Sequence, residues 1–234
     1  VNGSIQLLKI MQLYECNTIV FSSSASIYSN MNQIPYKESS NIDPCNPYAT
    51  TKYIVEKFLN NVFESNKNKW RIACLRYFNP IGAHESGMIG ESPKGKPDNI
   101  FPNLVNVALG LKKELKIFGN NWSTEDGTCI RDFLHITDLA EGHLKTLDYL
   151  LNQKPQILNL NVGTGIGTSV IELVNTFQNV NNIEIPFKFS DKREGDVAMI
   201  VADNSKIISL LDWNPKRNLK DMCFDGWNWQ SKNN

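Results

Sequence analysis

The sequence predicts an α/β fold in which a doubly wound parallel sheet is joined to a smaller, mixed α/β domain. Residues 18–21 and 72–78 are short runs rich in β-branched, aromatic and other apolar residues, with Arg76 as the exception, and such runs are typical of buried strands. Between them, residues 48–63 repeat apolar side chains at the three- and four-residue spacing of a helix. The order strand, helix, strand at these lengths predicts a βαβ crossover and therefore two parallel strands.

The other elements follow from the same patterns. Apolar residues over 5–13 predict a first helix, and the strand at 18–21 ends in a run of three serines. Pro47 suits the first turn of the helix that follows, because the N–H that proline lacks has no partner there. The later elements predicted are a helix over residues 102–113, a helix that begins near Thr137 with Thr137 or Asp138 as its N-cap, a strand over 157–162, and a helix that begins with the capping box Ser169-Val-Ile-Glu172.

The domain boundary is predicted near residue 79, where the alternation of strand and helix gives way to a stretch rich in glycine, proline and polar residues. We expect residues 1–79 to belong to the sheet domain. Residues 80–234 should form mainly the second domain, with some segments returning to the first. No internal repeat and no low-complexity segment interrupts this pattern.

Composition excludes several classes of function. The 24 Lys and Arg residues balance the 24 Asp and Glu residues, which argues against a nucleic-acid partner. No apolar run approaches the ~20 residues needed to span a bilayer. The five cysteines are scattered without a C-x-x-C pair, and the three histidines lack metal-site spacing, so neither a disulfide framework nor a metal site is expected. A reducing, cytoplasmic compartment fits this cysteine usage.

The strongest chemical signal is the pair Tyr48 and Lys52 on one predicted helix, with Ser24 after the preceding strand. Residues four apart share a helix face. An ammonium near the phenol would lower a pKa that is otherwise near 10, and the phenol would then serve as a general base. A serine at the carboxyl end of a strand lies where open α/β sheets bind ligands. Y-x-x-x-K also arises by chance on amphipathic helices, so the serine is needed for this interpretation.

Longer motifs carry a family resemblance. Residues 22–28 (SSSASIY), 46–52 (NPYATTK) and 75–84 (LRYFNPIGAH) resemble the extended short-chain dehydrogenase/reductase family. Later motifs narrow the resemblance to the UDP-glucose 4-epimerases, and they match in order and spacing along essentially the whole chain. These later motifs are FGN from residue 118, TEDGT from 124, RDFLHITDLA from 131, NVGTGIGTS from 161, REGD from 193 and WNWQ from 227.

The resemblance implies a Rossmann-like sheet domain, bound NAD and reversible 4-epimerisation of UDP-glucose and UDP-galactose through a 4-keto sugar. Tyr48 would be the acid/base, Lys52 would hold the nicotinamide ribose and Ser24 would bond the 4-oxygen of the sugar. The positions assigned to NAD are Ser22, Tyr48, Lys52 and Tyr77. The positions assigned to the UDP-hexose are Ser24, Asn79, Asn99, Phe118, Arg131, Arg193, Asp196 and Ile200.

Some of these substrate positions have other interpretations. Arg131 could instead form a salt bridge with Asp132, and Phe118 could be a core residue. Ile200 occupies a position where the family has Tyr with plain hexoses or a small residue with N-acetylhexosamines, and it could equally be an ordinary strand residue. The resemblance further implies a homodimer formed through the helices near residues 2–13 and 49–63.

Two features concern the cofactor loop. Residues 163–167 read G-T-G-I-G, which mimics a dinucleotide loop but departs from G-x-G-x-x-G, so we expect a structural turn. The family's own glycine-rich loop lies near its N-terminus, and roughly the first hundred residues of the family pattern have no counterpart here. We therefore expect a truncated chain, which begins with Val1 directly in a helix.

Two alternatives stay open. One is another nucleotide-sugar epimerase or dehydratase, although a dehydratase should show acidic residues beside the serine, where this chain has Ser23, Ser24 and Ala25. The other is a catalytically incomplete fragment that needs a separate N-terminal piece.

Overall fold

The computed structural model describes residues 1–93, 95 and 97–233 and divides the chain into two compact units. The chain first passes from unit 1 to unit 2 between Phe78 and Asn79, and it returns to unit 1 twice. Unit 1 comprises Val1–Phe78, Ala140–Gly163 and Ala202–Asn214, and unit 2 comprises Asn79–Leu139, Thr164–Val201 and Pro215–Asn234.

The described residues form seven α-helices and ten strands. The helices are α1 Asn2–Leu13, α2 Pro47–Ser65, α3 Ile100–Ala108, α4 Ile136–Asn152, α5 Val170–Asn181, α6 Ser205–Leu211 and α7 Leu219–Lys232. The strands are β1 Thr18–Ser22, β2 Arg71–Tyr77, β3 Asn79–Ile81, β4 Leu115–Phe118, β5 Ile130–Arg131, β6 Phe133–His135, β7 Gln156–Val162, β8 Thr168–Ser169, β9 Phe187–Ser190 and β10 Met199–Ile200.

A three-stranded parallel sheet in the order β1-β2-β7 organises unit 1. The central strand β2 is buried over its middle five residues, four of which are apolar, and the fifth, Arg76, is paired with the buried carboxylate of Glu56. Helices α1 and α2 pack on this sheet through Leu8, Met11, Val55 and Leu59. The predicted α/β class with a parallel βαβ crossover is therefore confirmed.

A second core holds unit 2 together. Helix α3, helix α5 and helix α7 contribute side chains to it, and Phe177 at its centre contacts Phe101 and Trp227 edge-to-face. Small sheets surround this core: β3 with β6 and β4 with β9 are parallel pairs, while β10-β5-β8 is mixed. The capping box predicted for α5 is confirmed, because Ser169 and Glu172 exchange side-chain-to-backbone hydrogen bonds.

One predicted helix end and one predicted N-cap were wrong. Helix α3 ends at Ala108 instead of continuing to residue 113, because Gly110 has a φ of +72° and the N–H groups of Leu111 and Lys112 turn back to Asn106. Helix α4 begins near the predicted position, at Ile136, so Thr137 and Asp138 lie inside it and neither is its N-cap. The imidazole Nδ1 of His135 accepts the Thr137 N–H at 3.0 Å. No helix in the described part of the chain is long and apolar enough to cross a membrane.

Candidate functional site

The carboxyl ends of β1 and β2 bring the predicted serines close to Tyr77. The two strands are parallel, with Ser22 opposite Leu75, so both end at the same edge of the sheet. Ser24 lies just beyond β1 as the N-cap of a single 3-10 turn, Ala25–Ile27, and its hydroxyl accepts the N–H of Ser26 at 3.2 Å. Tyr77 is the last residue of β2. Open parallel sheets bind ligands at this edge.

Tyr48 reaches the same edge from the first turn of α2. Asn46 caps this helix by accepting the N–H of Ala49 at 2.8 Å, and Pro47 follows it. The Ser24 side chain is close enough to the Tyr48 phenol that hydrogen bonding with it lowers the pKa of the phenol. Lys52 lies one turn further on, with its Nζ 5.5 Å from the centre of the Tyr48 ring. The predicted trio of Ser24, Tyr48 and Lys52 is thus assembled within unit 1.

Lys52 is anchored to the first serine. Its Nζ donates a 2.8 Å hydrogen bond to the carbonyl oxygen of Ser22 and lies 5.4 Å from the centre of the Phe21 ring. Burial lowers the pKa of Lys52, since the charged form loses solvation. An ammonium has three N–H donors, so this bond leaves capacity for a ligand hydroxyl.

The expected depression of the Tyr48 pKa by Lys52 was wrong for this structure. Burial raises the pKa of Tyr48 above its usual 10.0, the Tyr77 phenol raises it further, and the hydrogen bond from Ser24 acts in the opposite direction. The physical reason is that burial has the largest effect on the phenol, while the Lys52 ammonium bonds the Ser22 carbonyl and lies 5.5 Å from the centre of the Tyr48 ring.

Helix α2 carries a second Y-x-x-x-K pair. Lys57 lies over the Tyr53 ring, with its Nζ 5.1 Å from the ring centre, which repeats the arrangement of Lys52 over Tyr48. The spacing alone therefore does not identify a site. What distinguishes Tyr48 is its hydrogen bond with Ser24 at the end of β1.

His143 also belongs to this group, although no sequence pattern predicted it. Its Nε2 shares a 3.2 Å hydrogen bond with the Ser22 hydroxyl, and its ring centre lies 6.2 Å from that of Tyr77. His143 belongs to α4 and is 121 residues away from Ser22. No local spacing could have linked the two.

Arg131, Asp196 and Ile200 come together in unit 2. The Arg131 side chain is 13% exposed, and its Nη2 lies 3.5 Å from a carboxylate oxygen of Asp196. Its Nη1 donates to the carbonyl oxygens of Ile130 and Val197, each at 2.9 Å. Ile200 stands opposite Arg131 in the parallel pairing of β10 with β5. The guanidinium plane is therefore fixed by backbone as well as by charge.

The alternative partner for Arg131, Asp132, has other contacts. Its buried carboxylate accepts the N–H of Thr164 at 2.8 Å, the Thr164 hydroxyl at 2.6 Å and the N–H of Gly165 at 3.0 Å. Both N–H groups belong to the G-T-G-I-G turn. A dinucleotide phosphate bound at this turn would need these same N–H donors. A Cβ at Gly167 would approach Ile130 to 2.7 Å, so glycine there allows close packing. The turn has the structural role expected of it.

Arg193 and Phe118 form a second pair in unit 2. The guanidinium carbon lies 3.9 Å from the Phe118 ring centre, and Nη1 donates to the carbonyl oxygen of Asp98 at 3.4 Å. Asp98 precedes Asn99, which is the N-cap of α3 and makes no side-chain capping bond. The N–H of Asp196 bonds back to the Arg193 carbonyl, so one turn joins this pair to the Arg131 group.

Asn79 is placed by its backbone. It begins β3, pairs with Phe133 of β6, and its N–H donates to the Asp132 carbonyl at 3.0 Å. The structure thereby puts Asn79 beside the segment that carries Arg131. Among the described residues, no group of three or more His, Cys, Asp or Glu side chains is placed to hold a metal ion.

The residues of unit 1 fit the nicotinamide ribose portion of NAD. Lys52 offers ammonium donors to ribose hydroxyls, and Tyr77 and Ser22 lie at the same sheet edge. The sequence of residues 1–234 contains no G-x-G-x-x-G stretch for the pyrophosphate. The residues of unit 1 therefore fit the nicotinamide end of NAD, and this fit does not extend to the pyrophosphate.

Comparison with known proteins agrees with this geometry. Residues 1–163 match the NAD dependent epimerase/dehydratase family. The UDP-glucose 4-epimerase of Bacillus subtilis is 44% identical over 231 residues, which are 99% of this chain and 68% of the Bacillus protein. The chain thus spans about two thirds of the length of such relatives.

Two solved structures share the fold. A UDP-glucose 4-epimerase from Stenotrophomonas maltophila, with bound NAD and formylated UDP-arabinopyranose, has a TM-score of 0.96 and 41% identity, and the match covers 99% of this chain and 68% of that one. The enzyme from Bifidobacterium longum, in complex with NAD⁺ and UDP, has a TM-score of 0.92 and 39% identity, with 98% and 68% covered. The predicted Rossmann-like fold class is therefore confirmed.

Proposed function

Because the chain belongs to the NAD dependent epimerase/dehydratase family, we propose that it acts in the reversible 4-epimerisation of UDP-glucose and UDP-galactose, as in galactose metabolism. The observation that carries this proposal is the grouping of Ser24, Tyr48 and Lys52 at the carboxyl end of a parallel sheet. The likeness to UDP-glucose 4-epimerases along nearly the whole chain supports the choice of substrate.

In this proposal unit 1 holds the nicotinamide end of NAD and performs the proton transfers. Bound NAD supplies the chemistry that accepts a hydride from the sugar and returns it. Lys52 binds the ribose hydroxyls, and Ser22 and Tyr77 line the same position. Lys52 is suited to this task because its ammonium is already oriented by the Ser22 carbonyl.

Tyr48 moves the proton. As a phenolate it takes the proton of the sugar's 4-hydroxyl, and it returns that proton to the 4-oxygen in the reverse half of the reaction. Ser24 bonds the same oxygen and, through its hydrogen bond to Tyr48, counteracts the rise that burial causes in the pKa of the phenol. The 4-keto sugar is the intermediate between the two halves.

Unit 2 holds the nucleotide in this proposal. Arg131 and Arg193 suit diphosphate oxygens because guanidinium groups bind them bidentately. Asp196 suits a sugar hydroxyl, which can donate to its carboxylate. Asn79, Asn99 and Phe118 complete the positions for the uridine diphosphate, and Ile200 is proposed to lie against the sugar.

We also propose a cytoplasmic homodimer. Helix α1 exposes Leu7, Ile10 and Leu13, and α2 exposes Ile54, each at 43% or more of its surface. Apolar side chains at helical spacing on exposed faces favour burial against a second copy. A reducing compartment is supported by Cys16 and Cys45, which are free and exposed.

The test is an assay of UDP-galactose conversion by the protein as its gene encodes it, with Tyr48→Phe. Loss of general acid/base catalysis lowers the rate by about 10²–10⁴-fold. Tyr53→Phe is the matched control, since Tyr53 and Lys57 repeat the spacing on the same helix, and it should keep the wild-type rate. A wild-type protein without epimerase activity, or a Tyr48→Phe variant at the wild-type rate, would refute the proposal.

A further inference from the structure

We propose that His143 is a positioning residue for the nicotinamide ribose site, acting through Ser22 on Lys52. This inference rests on the proposed function and extends it to His143, which lies outside the motifs that carry the family resemblance. The site residues it concerns all belong to unit 1.

Ser22 is held at two points by two different elements. Its hydroxyl shares the 3.2 Å hydrogen bond with His143 Nε2 from α4, and its carbonyl oxygen accepts the 2.8 Å bond from Lys52 Nζ on α2. The two bonds belong to one residue at the last position of β1, so the side-chain bond to α4 helps to hold the backbone whose carbonyl is the acceptor of the second bond. In this proposal His143 steadies the Ser22 backbone, and through it the carbonyl that orients the Lys52 ammonium.

Ser23, the residue after Ser22, is held by a different contact. Ser23 is fully buried and its hydroxyl donates a 2.5 Å bond to Glu56, which forms a buried ion pair with Arg76. This anchor leaves the Ser22 side chain as the adjustable part of the segment. The His143 bond supplies the second anchor, so the segment that precedes Ser24 is held at both residues.

His143 also contacts the other residue predicted to support the cofactor. Its ring lies 6.2 Å from that of Tyr77, with the two planes inclined by 50°. Tyr77 in turn affects the pKa of Tyr48. One half-buried imidazole thus touches both Ser22 and Tyr77, which fits a role in aligning the site more than a role in core packing.

The experiment compares His143→Phe and His143→Gln with wild type in the gene-encoded protein. Phenylalanine keeps a ring but removes the bond to Ser22, and we expect kcat to fall on the order of 3- to 10-fold, with less NAD retained and an unchanged KM for UDP-galactose. Glutamine places an amide at the level of Nε2 and should restore most of kcat. A fold defect would not be corrected by this one polar group.

The matched control is His84→Phe. His84 also shares a bond with a serine, 2.8 Å from its Nδ1 to the Ser86 hydroxyl, but it belongs to unit 2 and is exposed. It should leave kcat and NAD retention unchanged. In the double variant His143→Phe with Ser22→Ala, the loss should be no larger than that of His143→Phe alone, because both changes remove the same bond.

A spectroscopic readout separates this inference from the proposed function. With ¹⁵N-labelled histidine, Ser22→Ala should shift the His143 Nε2 resonance even if the protein showed no epimerase activity. An unchanged resonance, additive losses in the double variant, or wild-type kcat in His143→Phe would overturn the positioning role. Absence of activity in wild type would instead count against the proposed function.

Discussion

The guanidinium carbon of Arg193 lies 3.9 Å from the centre of the Phe118 ring. Stacking fixes the plane of the guanidinium, and the bond from Nη1 to the Asp98 carbonyl fixes its rotation. A planar group held in this way presents its remaining donors in a set direction, which suits a diphosphate. Phe118 is thereby explained as a support for Arg193.

Arg193→Lys should therefore weaken UDP binding on the order of 10-fold, although the charge is kept. Lysine supplies a point charge without the planar fork, so both the stacking and the bidentate geometry are lost. Calorimetric titration with UDP measures the change. The control is Lys192→Met, because Lys192 lies 4.1 Å from the centre of the Trp122 ring in a similar arrangement. Equal losses in both variants would refute a specific role for Arg193.

The second prediction concerns the hydrogen bond between Ser24 and Tyr48. This bond lowers the Tyr48 pKa, while burial and Tyr77 raise it above 10.0. Ser24→Ala should move the pKa further upward, because the phenolate loses a donor while the burial stays. The ionised base then forms at higher pH, so the alkaline rise of kcat should shift to higher pH.

Ultraviolet titration of tyrosinate, taken as a difference from Tyr48→Phe, gives the Tyr48 pKa directly. Thr51→Ala is the control, since the Thr51 hydroxyl donates to the backbone carbonyl of Tyr48 at 2.7 Å and should not affect the phenol. A downward shift in Ser24→Ala would show that the serine bonds the neutral phenol more strongly than the phenolate.

The third prediction is that the 234-residue chain alone retains little NAD after purification. Its sequence has no G-x-G-x-x-G loop for the pyrophosphate, and β1 is an edge strand in the described sheet, with all five residues only half-buried. Bound nucleotide released by acid should be far below stoichiometric. The Stenotrophomonas epimerase, which crystallised with NAD, is the positive control. Stoichiometric NAD in the chain alone would refute this prediction.

Much of unit 1 could be predicted because its elements are marked locally. The strand at residues 18–21 is a short apolar run that ends in serines. The start of α2 is indicated by Asn46 and Pro47, which are residues typical of a helix N-terminus. The parallel pairing of the strands before and after α2, β1 and β2, follows from the strand, helix, strand order. That Ser24 follows β1, and that Tyr48 and Lys52 lie in the first two turns of α2, could be predicted for the same reason, while their roles stay a prediction.

The features that could not be predicted depend on side-chain contacts that local sequence patterns do not show. His143 meets Ser22 across 121 residues, and the start of α4 is capped by the imidazole of His135, a residue not expected in that role. The direction of the Tyr48 pKa shift was predicted wrongly because it depends on which oxygen Lys52 bonds. Spacing places two residues on one face, but it does not orient a flexible ammonium.

The last prediction concerns substrate range and Ile200. The carbonyl oxygen of Ile200 accepts the Asp132 N–H at 3.1 Å, and Ile200, in β10, pairs with Arg131 of β5. The backbone should therefore keep its place when the side chain changes. Isoleucine is β-branched and stiff, and it cannot swing aside easily. An acetamido group pressed against it would cost what overpacking costs, ~1–3 kcal/mol. We therefore expect kcat/KM for the N-acetylated UDP-sugars to be roughly 5- to 150-fold below that for UDP-glucose and UDP-galactose.

Ile200→Gly should narrow this gap by opening space while preserving the backbone hydrogen bond. Met199→Ala is the matched control, because successive side chains of a strand point to opposite faces and Met199 is also half-buried. It should leave the ratio between the two substrate pairs unchanged. The measurement is kcat/KM for both pairs in wild type and both variants of the gene-encoded protein. Equal wild-type values for the two pairs, or the same ratio in Ile200→Gly as in wild type, would show that Ile200 does not select the sugar.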